Sequence, residues 1–413
     1  MRSLFVCAMQ PNDPAKFFPG PNREGAMRQF FLNAMEPSIV PLWYGGKTGM
    51  RQSFLNALEP SPVGYFNKPL AHRDDEAPQR DPFSVFKAIL ISYHYWDRWP
   101  RIPTERLIVG DSGGFSVATL GARIDPEHVI RWQIKNTDIG YMLDIPPYRN
   151  SGTSARAGGR ASDWWADSLK RSVDNVRRAR QHYDPDSYPF RWWGVCQGEM
   201  REQHEEWYDA ISAEYAFDGP GEGWAMRPHP NNDPGSIARC VRFAGDKGFK
   251  NLHLLQTTGP SAVAILIALG KKAGLEFVTY DSESAARVAL SRSILVRPAR
   301  LPAYSFKTIT ESSRKGETTV RDYMLSGRCP CVGCSWLKED ELPAGVEYSH
   351  YIMVHNYCVM QDNFDAIERA VDNDADAVLR NLGLYGEVMR AFEAPHRHAH
   401  AKIRARGILD RIR

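Results

Sequence analysis

No stretch of this 413-residue chain approaches the roughly 18 consecutive apolar residues that cross a bilayer, so no membrane partner is expected. The formal net charge is only +3, and bulk charge therefore does not announce a polyanionic ligand. Cysteines number seven, an odd count, and three of them fall within six residues. That pattern favours a metal site in a reducing, cytoplasmic compartment over a disulfide framework. No Gly-x-Gly-x-x-Gly opens a first helix, which argues against a dinucleotide-binding open sheet. The amino-terminal apolar run meets Asn12, Asp13 and Pro14 too soon for a signal peptide and reads as a first strand.

What is present is ordinary in bulk and informative in pattern. Apolar residues make up 43% and charged residues 24%, values typical of a globular protein. From residue 105 onward apolar strand-like runs (106–110, 139–144, 190–197, 223–227, 251–256 and 276–281) alternate with helix-like segments at 125–136, 163–182, 199–215, 233–247 and 260–273. Asp125-Pro126 and Gly259-Pro260 carry helix-start chemistry, with proline in the first turn. Alternation of this length predicts an α/β fold of the (β/α)8 TIM-barrel class. Residues 1–105 are expected to supply an amino-terminal part of the barrel with additions, and 106–300 its core. There Met27–Ser38 returns almost unchanged as Met50–Ser61, and each copy reads as a short helix stopped by its proline.

Three carboxylates stand at the ends of apolar runs. Asp111 leads into Ser112-Gly113-Gly114-Phe115, Asp144 runs into Pro146 and Pro147, and Asp281 opens Ser-Glu-Ser. In a parallel barrel such positions line the catalytic rim. Each also has a purely structural explanation, Asp111 and Asp144 as turn caps and Asp281 as a helix cap. A glycine- and arginine-rich segment, Arg149–Arg160, leaves the same rim and suits either a lid or a linker.

Cys329-Pro-Cys331-Val-Gly-Cys334 is the sharpest local signal. Three thiolates this close cannot all pair with one another, and a fourth ligand would complete a tetrahedral, structural zinc site. His355 is the first choice, with His350 and Cys358 as rivals. Residues 301–360 are therefore expected to hold a zinc-binding region, and 361–413 a helical basic segment.

Taken in order, Asp111-Ser-Gly-Gly-Phe, Asp144 before its prolines, Gly194-Val-Cys-Gln-Gly198, Tyr280-Asp281 and Cys-x-Cys-x-x-Cys with a later His-Asn resemble the tRNA-guanine transglycosylases. The similarity spans about residues 105 to 360. It implies a (β/α)8 barrel with an inserted zinc subdomain that exchanges guanine in nucleic acid for a 7-deazaguanine through a covalent intermediate. Carried across, Asp281 is the nucleophile and Asp111 the proton-transfer group. Asp144 and Gln197 hold the guanine edge, Gly223 offers a backbone amide, and Phe115 stacks on the base beside Ser112 and Gly113. Cys329, Cys331, Cys334 and His355 hold zinc. The chemistry is coherent on its own terms, since a carboxylate traps oxocarbenium character and a purine must leave its stack to be reached.

Departures from that family fall on substrate-facing positions. Ser116 replaces a glutamine, Ser282–Arg287 replaces the family's Cys-Val-Leu-Pro-Thr-Arg, and Glu222-Gly-Trp-Ala225 replaces Gly-Gly-Leu-Ala, so that Trp224 would reshape the base pocket. These changes favour the divergent branch that modifies DNA, with tRNA the alternative substrate. The expected partners are a nucleic acid, DNA or tRNA, and a free 7-deazaguanine base, with a homodimer left open. The run Pro395–Arg413 carries six Lys/Arg against one acid, and Arg297–Arg328 adds a second basic stretch, suited to phosphate contacts. Trp164-Trp165 and Trp192-Trp193 read as core packing rather than stacking faces. A catalytically inactive nucleic-acid-binding homologue and a small-molecule hydrolase are the competing classes.

Overall fold

A curled parallel β-sheet with helices packed against it organises the chain. The computed structural model describes residues 28–34, 85, 88–94, 107–147, 161–230, 232–282, 285, 288–289, 291–311, 319–340 and 348–393. Seven strands pair in chain order: β2 (Ala88–Ser92), β3 (Leu107–Asp111), β4 (Ile139–Tyr141), β5 (Arg191–Cys196), β6 (Gly223–Met226), β7 (Asn251–Leu254) and β8 (Phe277–Ser282). Every pairing is parallel, so all carboxyl ends lie on one side. The earlier strand β1 (Arg28–Ala34) pairs in parallel with both β2 and β8, and the hydrogen-bonded order returns on itself.

Between the strands run α1 (Gly114–Leu120), α2 (Pro126–Asn136), α3 (Ala161–Ala179), α4 (Arg201–Ser212), α5 (Pro234–Lys247) and α6 (Pro260–Lys272). Their starts follow from local chemistry. The Asp125 side chain accepts from Glu127 N and that of Asp233 from Ser236 N, each followed by a proline that needs no hydrogen-bond partner. Burial then holds the helices to the sheet. Trp192, Trp193, Trp207 and Trp224 are all fully buried, in line with core packing for the 192–193 pair.

After β8 a second unit begins. Strands β9 (Ser293–Val296) and β10 (Lys307–Thr310) form an antiparallel pair, followed by α7 (Val320–Leu325), α8 (Val332–Glu339), α9 (Ser349–Asn381) and α10 (Tyr385–Glu393). Helix α9 lies along α6 and α8, and α10 along α5, so this unit is packed onto the helical layer. The backbone of α9 leaves helical geometry at Asp374 (φ −156°, ψ 97°), and its side chain caps the continuation by accepting from Ala377 N.

Three readings of the sequence change. Residues 28–34, read as helix, form a strand, because the chain there extends between β2 and β8 and exchanges backbone hydrogen bonds with both. The second copy of that repeat lies outside the described residues, as do Arg149–Arg160 and Pro395–Arg413. A helix begins at Gly114, immediately after β3, where only a turn was read. Helix α9 crosses residue 360, so no break separates a zinc region from a helical tail there. Among the described residues no helix is long and apolar enough to cross a membrane.

Candidate active site and metal centre

Asp111, Asp144, Gln197 and Asp281 lie at the carboxyl ends of β3, β4, β5 and β8, and the curl of the sheet brings them together. Asp111 ends β3 directly opposite Ser92 of β2, whose side chain hydrogen-bonds it, and Gly113 N donates to Asp111 Oδ2 at 3.1 Å. Burial raises the Asp111 carboxyl above its ordinary range. The Ser92 and Gly113 hydrogen bonds oppose that, whereas the negative charge of Asp281 adds to it.

Asp144 is 6% exposed and receives a hydrogen bond from Gln197 Nε2 at 2.7 Å. Burial, reinforced by the charge of Asp111, raises its pKa to about 7, while the Gln197 hydrogen bond and Arg227 act the other way. Asp111 therefore interacts with both other acids, and the three share one electrostatic environment. Gly114 sets the spacing. A β-carbon there would come within 2.1 Å of the Asp144 carbonyl oxygen, and Gly113 turns the chain with φ +81°. Ser112 is buried beneath this turn, and Phe115 projects from α1 with 47% of its surface exposed.

Asp281 is held on one side. His253 Nε2 lies 3.2 Å and Gln256 N 2.6 Å from the same oxygen, Oδ1. His253 pairs in register with Thr279, and its Nδ1 lies 2.8 Å from Thr279 Oγ1. The Tyr141 ring packs against the imidazole at 5.0 Å. Its phenol hydrogen-bonds Thr279, and burial beside Asp281 pushes its pKa well above the ordinary value. Gln256 adopts the left-handed conformation, φ +56°, uncommon for a side chain of its kind, and in doing so aims its N–H at the carboxylate.

Two expectations do not fit. Gly223 opens β6, so it sits at the amino-terminal edge of the sheet, opposite the acids, with no room between its α-carbon and Asn251. Trp224, expected to reshape a base pocket, lies away from the acids. It points into the helical layer, stacked on Phe249 and packed on Tyr208 and Phe217. Reading the sequence also missed Ser92, Tyr141, His253, Gln256, Thr279 and Arg227. One signal was available for some of these. Asn251 and His253 on β7, and Thr279 and Asp281 on β8, are polar residues at alternate positions in apolar strands, which places each pair on one face.

The metal centre gathers Cys329, Cys331, Cys334 and His355, all buried, with candidate ligand atoms within 4.8 Å of one another. Cys331 N-caps α8, and the Gly333 α-carbon faces the α9 backbone, where a β-carbon would lie 2.8 Å from Tyr351 O and His355 N. His355 Nδ1 lies 3.2 Å from Cys331 Sγ and 3.3 Å from Cys334 Sγ. Its Nε2–H donates to Leu295 O at 2.8 Å, which leaves the Nδ1 lone pair turned toward the sulfurs. The next residue clamps the same strand: Leu295 N donates to Asn356 Oδ1 at 2.8 Å. These four residues could hold a metal ion such as zinc. Cys358 is half-buried and lies outside the four, and the His350 side chain is outside the described residues. No protein-family model matches the chain, and no curated protein matches it.

Proposed function

We propose that the protein is a nucleic-acid guanine transglycosylase, a pentosyltransferase that replaces guanine with a 7-deazaguanine base. In this reading DNA is the favoured polymer and tRNA the alternative, and the fold is a (β/α)8 barrel carrying an inserted zinc subdomain. The observation that supports it most is the meeting of Asp111, Asp144 and Asp281 with Gln197 at one edge of the sheet. Two buried carboxylates with raised pKa values beside a third held by two nitrogens suit a reaction that needs a proton carrier, a base-edge acceptor and a nucleophile.

Asp281 attacks C1′ of the nucleotide, the C1′–N bond breaks toward the purine, and the departing guanine takes a proton carried by Asp111. The incoming 7-deazaguanine returns a proton to Asp111 as its ring nitrogen attacks C1′, and the bonding pair goes back to Asp281. Asp144 in its ionised form accepts from the ring N–H and amino group of the base, with Gln197 alongside. Phe115, exposed at the same edge, offers a face for stacking. Cys329, Cys331, Cys334 and His355 would hold zinc as a structural crosslink between α8 and α9, with His355 itself hydrogen-bonded to β9.

Incubation with labelled guanine and, separately, duplex DNA and tRNA tests the proposal. Label entering DNA supports the first reading, and label entering tRNA alone moves the substrate to RNA. Salt-dependent binding without label uptake by either polymer indicates an inactive binding homologue.

A further inference from the structure

We infer that Oδ2 of Asp281 is the oxygen that bonds the sugar, and that His253 is a positioning residue which holds Oδ1 and governs release of the covalent intermediate. The inference rests on the transglycosylase reading and adds an oxygen assignment and a residue to it. Both hydrogen-bond donors to Asp281, His253 Nε2 and Gln256 N, converge on Oδ1, and among the described residues no hydrogen bond reaches Oδ2.

The tautomer follows from the partners. A carboxylate can only accept, so Nε2 carries the hydrogen that faces Asp281. Nδ1 then accepts from the Thr279 hydroxyl, its cross-strand neighbour. The imidazole is fully buried and packed against Tyr141, which fixes its ring plane. Thr279 and His253 thus act in series, the hydroxyl setting the ring and the ring setting the carboxylate.

The consequence lies in the second half of the reaction. In the intermediate Oδ2 is bonded to C1′, and Oδ1 is an ester carbonyl that still accepts from both N–H groups. When the incoming base attacks C1′, the Oδ2–C1′ pair returns to the carboxylate and negative charge spreads onto Oδ1. Donors already aimed there stabilise that charge as it forms. They also moderate the carboxylate as an attacking group, so their loss favours the adduct over its release.

The test uses the full chain with guanine-containing duplex DNA and with tRNA. It reads the denaturation-resistant adduct and the rate of labelled-guanine exchange, and takes their ratio. His253→Leu is expected to raise adduct per unit exchange about a hundredfold or more, as removal of one preorganised donor does to a charge-developing step. His253→Gln, whose amide can present an N–H to Oδ1, should bring the ratio back toward wild type, and Thr279→Val should raise it less than His253→Leu. A purely structural role would lower adduct and exchange together and leave the ratio unchanged, which overturns the inference. If His253→Leu does not fold, Thr279→Val decides by the same ratio. Wild-type protein that forms no adduct with either polymer overturns the transglycosylase reading and this inference together; wild-type adduct with unchanged ratios in the variants overturns the inference alone.

Discussion

Gly114 and Asp144 are packed so closely that a β-carbon on the glycine would lie 2.1 Å from the aspartate's carbonyl oxygen and 2.9 Å from its Oδ1. The first residue of α1 thereby fixes where Asp144, the proposed acceptor for a base edge, can stand. Gly114→Ala should displace Asp144 and weaken 7-deazaguanine binding about a hundredfold, the scale on which a shift of about 1 Å damages a reacting site. Calorimetric titration with the free base measures it, with circular dichroism to check that the fold persists. Wild-type affinity in the alanine variant would show that this spacing is irrelevant to the base.

Asp281 is the proposed site of covalent attachment. Asp281→Asn should abolish the denaturation-resistant adduct and lower guanine exchange by about a thousandfold or more, as loss of a nucleophile does. Polymer binding should change little, because phosphate contacts rather than the reacting carboxylate position a polymer. Filter binding beside a denaturing gel separates the two effects, and an adduct surviving in the variant would move the nucleophile to another residue.

In the proposed reading, Asp144 should make base binding depend on pH. Burial places its pKa at about 7 in the empty protein, so below that pH the carboxyl is protonated and presents a hydrogen where a guanine edge needs an acceptor. Affinity for the free base should be level above pH 7 and fall by up to about tenfold per unit below it, with a proton released on binding. Calorimetry in buffers of different ionisation enthalpy detects that proton. Asp144→Asn should flatten this dependence and weaken binding at pH 8; a wild-type profile in that variant would assign the titration to another group.

The metal centre should hold about one zinc ion per chain. Cys331→Ser, or prolonged chelation, is expected to release it and destabilise the protein by about 4 kcal/mol or more, in the range reserved for losses such as a structural metal. Elemental analysis and thermal melts test this. Because the ligands crosslink α8 and α9 while His355 is tied to β9, the loss should appear in stability before it appears in base binding.

Much of the sheet was legible because each element carries its own local signals. The starts read at Asp125-Pro126 and Gly259-Pro260 mark helices that begin within one residue of them. Apolar runs locate β3 to β8. The strand at 28–34 was not legible, since its short-range pattern resembles a helix and only the neighbouring strands draw it out. Gly223 was misplaced because a motif gives an order along the chain, whereas the end of the strand on which a residue falls depends on register.

Local sequence alone determined the alternation of strand and helix, the three strand-end acids and the close-set cysteines, because propensity, capping and ligand spacing act over a few residues. Tertiary structure alone decided that Asp111 faces both Asp144 and Asp281. It also decided that His253 and Gln256 share one oxygen of Asp281, and that His355 rather than Cys358 completes the group of four. These relations join residues up to 170 positions apart in sequence (281 minus 111), and only strand register and the curl of the sheet bring such distant groups within hydrogen-bonding and electrostatic range.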